Sequence, residues 1–98
     1  MDYKVYVDQD LEFLIPEFME NRLEEIERLK ELLAEGDFER IKELGHALKG
    51  TGGGYGFHVI TELGAEIEKS AQEEDEAQTK ELVAKLADYL ENAEIIYE

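Results

Sequence analysis

The chain has no cysteine, a single proline and few basic residues, 10 Lys and Arg against 26 Asp and Glu. Without cysteine there is no disulfide scaffold and no thiolate metal site, which fits a reducing compartment. The formal charge of −16 repels phosphate backbones and anionic lipid, so neither nucleic acid nor a membrane surface is expected as a partner. No apolar run is long enough to span a bilayer, and the first residues lack a basic-then-apolar signal pattern. A cytoplasmic protein is expected. Also missing are the G-x-x-x-x-G-K-[ST] phosphate loop, a local H-x-x-x-H zinc pair and an EF-hand loop.

What is present is helical periodicity. The chain is 43% apolar, enough to build a core, and its 98 residues suit one domain spanning 1–98. No internal repeat, linker or low-complexity tract divides it. A short first helix is expected from Asp8 or Asp10 to Ile15, and Pro16 marks a kink or a fresh start. Phe18, Met19, Leu23, Ile26, Leu29 and Leu33 then recur every three or four residues, the stripe of a long helix. Gly36-Asp37 ends it and caps the next. That next helix carries Phe38, Ile41, Leu44 and Leu48 and runs into Gly52, Gly53 and Gly54, with a turn at Tyr55-Gly56-Phe57.

A further helix uses Phe57, Ile60, Leu63, Gly64, Ile67 and Ala71. The last uses Leu82, Val83, Leu86, Leu90, Ala93 and Ile96 or Tyr97. Only Tyr3 to Val7 reads as a strand. The spacing predicts an all-α, antiparallel up-and-down four-helix bundle with a short extra N-terminal helix.

Two histidines carry the interest. On a helical wheel His46 lies roughly 165° from the Ile41, Leu44 and Leu48 stripe, on the wet face. A histidine there is usually an ordinary surface residue, but its neighbours are unusual. Gly45 and Ala47 flank it, and Gly50 follows one turn later, where helical side chains would otherwise lean over the ring. A helical glycine costs about 1 kcal/mol relative to alanine. The open space it leaves suits a large, flat partner. Lys49 is one turn after His46 and Lys42 one turn before; an ammonium there can hold a phosphoryl group, or simply pair with the surrounding glutamates. His58 has no lysine at i+3 and no glycine at i+4, and reads as a surface residue.

His46-Ala47-Leu48-Lys49-Gly50, with Gly56 following, resembles the H-x-L-K-G-x-x-x-x-x-G signature of histidine-containing phosphotransfer (HPt) domains. The stretch Gly56 to Glu68 is similar to the helix that follows in that family, and Gly36-Asp37-Phe38 fits its usual break before the histidine helix. The resemblance covers roughly residues 8 to 97. It implies that His46 is the phosphorylated residue, that Lys49 supports the phosphoryl group, that Gly50 gives clearance and that Gly56 permits the turn. Glu68 falls where some members hold a polar side chain, often glutamine, bonded to the histidine. A carboxylate there would repel a phosphoryl group yet orient the free ring; a plain surface acid is the other reading. The family more often has serine, alanine or asparagine along Thr51 to Gly54, so the glycine run is expected to loosen the helix end.

By resemblance, the partners are response-regulator receiver domains and a histidine (hybrid) kinase. The protein is expected to act as a monomer, with no cofactor in this chain and Mg²⁺ on the receiver. The ring would take a phosphoryl group from one receiver aspartate and pass it to another, a reaction that needs in-line positioning and charge neutralisation more than covalent machinery. Leu11, Leu14 and Ile15 contribute either to the docking face or to the core. Two alternatives stay open: the phosphorylated N-terminal domain of a chemotaxis-type kinase, and a non-catalytic interaction bundle.

Overall fold

A computed structural model describes residues 2–98. The apolar stripes become four helices: α1 (Ile15–Glu35), α2 (Phe38–Thr51), α3 (His58–Gln72) and α4 (Glu76–Asn92). They run up and down around one core, in which Leu29, Ile41, Leu48, Ile60, Ile67 and Leu86 are fully buried. Pro16 sits in the first turn of α1, where its missing N–H costs nothing. Before it, Gln9–Leu14 form a 3-10 helix capped by the Asp8 carboxylate, which accepts from the Asp10 N–H. Gly36 closes α1 in the left-handed conformation, and Asp37 caps α2 by accepting from Arg40 N–H. Asp75 caps α4 in the same way through Gln78. No helix among the described residues is long and apolar enough to cross a membrane.

The last helix stops short of its expected end. It ends at Asn92, whose amide folds back on the Asp88 carbonyl and carboxylate at 2.9 and 3.0 Å. Ala93 then turns to extended backbone, and β2 (Glu94–Tyr97) pairs in parallel with β1 (Lys4–Val7), Lys4 opposite Glu94 and Val7 opposite Tyr97. The β-branched pair Ile95-Ile96 suits a strand better than a helix end. The strand expected at Tyr3 to Val7 is therefore present, but with a partner that periodicity did not show. Val5 and Val7 point into the core, and Tyr3 stacks on Tyr89 and donates to Asp88, tying the ribbon to α4.

Leu23 leaves the expected core stripe: it is 42% exposed. It lies about 125° around the helix from the mean direction of the buried Phe18, Ile26, Leu29 and Leu32, at the margin of the apolar arc.

Candidate functional site

The closest helix pairing, α2 against α3, is made by two glycines. A Cβ on Gly45 would stand 2.8 Å from the Glu68 backbone nitrogen, and one on Gly64 would stand 2.6 Å from the Lys49 nitrogen. Neither position can hold a side chain without pushing the helices apart. Gly45, expected from sequence to clear space beside His46, thus faces inward and lets α3 approach.

That approach brings Glu68 to His46. The imidazole Nδ1 lies 2.8 Å from Glu68 Oε2. A carboxylate only accepts, so Nδ1 carries the hydrogen and donates it, and in the neutral ring Nε2 keeps its lone pair. The other carboxylate oxygen is 4.0 Å from the Lys49 ammonium. Burial sorts the three: the His46 side chain is 71% exposed, Lys49 half-exposed, and Glu68 largely covered. The supporting acid is thus the fixed member and the imidazole the presented one.

Lys42 does not join this group. Its ammonium is 3.5 Å from Glu39 on its own helix, and it borders a hollow at the Gly36 end. His58, first residue of α3, is exposed, and its side chain makes no hydrogen bond or ion pair among the described residues.

Gly50 differs from Gly45. A Cβ there would meet nothing within 4 Å, and its φ is not in the left-handed region. The protein's own packing gives no reason for a glycine. Beside it opens a cavity of about 490 Å³ lined by Leu14, Phe18, Arg22, Gly50, Gly54 and Tyr55. Phe18 floors it, its ring centroid 4.6 Å from Tyr55 and 4.9 Å from Phe57, with the Arg22 guanidinium 4.8 Å above it and paired to Glu25. Leu14 lines this groove, Ile15 is core, and Leu11 packs half-buried against the core. Phe13, unremarked in the sequence, is 78% exposed one residue from Leu14.

The glycine run has a packing role that its composition concealed. Past Thr51 the chain forms a 3-10 turn, Gly53–Tyr55, and a Cβ on Gly52 would stand 2.4 Å from the Phe57 carbonyl oxygen. Gly56 takes φ +87° directly under β1, where a Cβ would be 2.6 Å from the Tyr6 carbonyl oxygen. Only glycine satisfies both demands.

Among the described residues no three His, Asp or Glu side chains gather as a metal-holding set. Compared with protein-family models, the chain matches that of the Hpt domain over residues 14–95. The chain belongs to the Hpt domain family. Neither curated proteins nor solved structures gave a match. Hpt domains serve histidine phosphotransfer in phosphorelays and work with receiver domains and kinases. In this Hpt domain, β1 and the end of β2 fall outside the matched stretch.

Proposed function

We propose that this Hpt domain is a phosphoryl carrier that takes the group onto His46 Nε2 from the aspartyl phosphate of one receiver domain and passes it to the aspartate of another. The observation that carries this reading is the hydrogen bond from Nδ1 to Glu68, which leaves Nε2 as the lone-pair nitrogen of a well-exposed ring. Lys49, one turn along the same face, supplies positive charge for the incoming phosphoryl oxygens. The absent side chain at Gly50 lets a receiver's surface come close enough for in-line attack. Gly56 holds the turn that ends the histidine helix.

The balance of the step is simple. The Nε2 pair forms the P–N bond, the P–O bond to the donor aspartate breaks, and its electrons leave with the carboxylate. The receiver supplies the divalent metal and most of the charge neutralisation, because phosphoryl transfer rests on positioning and electrostatics. The protein works as a monomer, docking through the groove between the start of α1 and the end of α2.

The test is phosphate uptake from a phosphorylated receiver, with wild type and His46→Gln in parallel. Uptake by wild type alone, as an acid-labile and base-stable adduct, is the expected result. A folded wild type that takes up nothing from a panel of receivers, but is phosphorylated by an ATP-bound kinase domain, would move the reading to a kinase module. One inert to both would be an interaction bundle.

A further inference from the structure

The two-stranded ribbon has one edge closed and one edge open. On β2, the backbone N–H groups of Glu94 and Glu98 donate to the Tyr3 and Val7 carbonyls at 2.8 and 3.0 Å. Backbone groups along a strand alternate sides, so the N–H and C=O of Ile95 and Tyr97 point away from β1. They have no hydrogen-bond partner among the described residues, and β1 is the only element that lies along β2. The outer edge of β1 is taken: Lys4 N–H donates to the Asp2 carboxylate at 3.0 Å, and the Tyr6 carbonyl lies against Gly56. Parallel strands normally sit inside a sheet with both faces covered, so a bare edge on a surface pair is unusual.

An unpaired edge is a template for another strand, and proteins commonly blunt it with proline, lysine or a bulge. The run Glu94-Ile95-Ile96-Tyr97-Glu98 has neither proline nor lysine, and no bulge breaks its register with β1. That register places Glu94, Ile96 and Glu98 on the outward face, where Tyr6 sits opposite Ile96 and is 52% exposed. Glu94 and Glu98 are exposed, as is Glu91 just before them, and none of the three pairs with a cation among the described residues. Lys4, opposite Glu94, is the one basic residue in either strand.

These charges decide what can occupy the edge. Two copies of the chain joined antiparallel through β2 would set Glu94 of each against Glu98 of the other. Like charges directly opposite destabilise a strand pair, and a formal charge of −16 on each chain adds to the repulsion. A basic strand gains from the same two carboxylates. We propose that the outer edge of β2 receives an extended basic segment of another protein as a third strand, with a lysine or arginine opposite each of Glu94 and Glu98 and an apolar residue opposite Ile96. The Ile95 and Tyr97 backbone groups supply the hydrogen bonds, and the outward side chains supply the selection. The edge lies outside the imidazole site, so the proposal stands or falls separately from the carrier reading.

The probe is a capped peptide of valine and threonine, with lysine at its first and fifth positions and valine at its third. Amide exchange in the whole chain is followed by nitrogen–proton NMR. The lysine peptide is expected to slow exchange at Ile95 and Tyr97. The same peptide with glutamate in place of lysine should bind about tenfold more weakly, the worth of two cross-strand pairs changed in sign. A chain carrying both Glu94→Lys and Glu98→Lys, two exposed positions, should reverse that preference. No protection at millimolar lysine peptide overturns the proposal. Equal binding by a lysine peptide with methylated backbone amides also overturns it, since the contact would then be charge without strand pairing. Protection that grows with protein concentration in the absence of peptide would assign the edge to a second copy instead.

Discussion

Gly45 and Gly64 face each other across α2 and α3, each standing where a Cβ would strike the other helix's backbone. The contact between His46 and Glu68 depends on that closeness, because a carboxylate on α3 must reach a ring on the outer face of α2. The same pair therefore serves stability and site geometry at once.

Replacing Gly64 with alanine should show this. The added methyl meets backbone, which has no rotamer to escape into, so the helices must separate at a cost of about 1–3 kcal/mol. Thermal unfolding should fall by several degrees, and the Nδ1–H tautomer signature of His46 should weaken in the same sample. A variant that melts like wild type would mean the helices tolerate the methyl without moving.

Gly50 should behave in the opposite way. Alanine there meets nothing within 4 Å and removes a helical glycine, so stability should stay level or rise by up to about 1 kcal/mol. Phosphate uptake from a receiver should nevertheless slow. Denaturant unfolding and receiver-dependent uptake, measured side by side, check both halves. Unimpaired uptake would remove the clearance argument.

Phe13 is the clearest candidate for a docking contact outside the signature. At 78% exposure it contributes little to the fold, so Phe13→Ala should alter stability by less than about 0.5 kcal/mol. Affinity for the receiver should fall, while phosphoramidate, which needs no docking surface, should modify His46 at the wild-type rate. Calorimetric titration and phosphorus NMR separate the two.

Alkali should loosen the ribbon first. The hydrogen bond to Asp88 raises the Tyr3 hydroxyl above its ordinary value of 10.0, and desolvation adds to this. Burial raises Tyr89 beneath it, with the charge of Asp2 adding to the effect. Both groups hold their protons longer folded than unfolded. Their contribution is whole below the unfolded value and is lost as pH rises through the folded one. Unfolding midpoints should thus decline above pH 10, and Tyr3→Phe should flatten part of that slope. An unchanged slope would take Tyr3 out of the account.

Much of this is legible in the sequence. The four helices followed from apolar spacing, because each buries one stripe. His46 was separable as outward-facing by angle alone. Other features rest on contacts distant in sequence. Gly45 looked like clearance because nothing local says that Gly64 lies opposite. Leu23 looked like core because it sits at the margin of the apolar arc, where only the neighbouring helices decide burial. Ile95-Ile96 continued a plausible helical stripe, and only the strand at the other end of the chain ends it. Phe13 carries no periodic signal within a 3-10 turn of six residues.

The parallel ribbon joins Lys4 to Glu94, ninety positions apart. Closing so long a loop costs entropy that nothing offsets until the helices have already brought both ends together. The two strands should therefore meet last in folding and part first in local opening. Because the Tyr6 carbonyl lies against Gly56, each such opening uncovers the turn that ends the histidine helix. The seam between the chain's two ends thus sets how often that turn is released, and it does so without touching the imidazole.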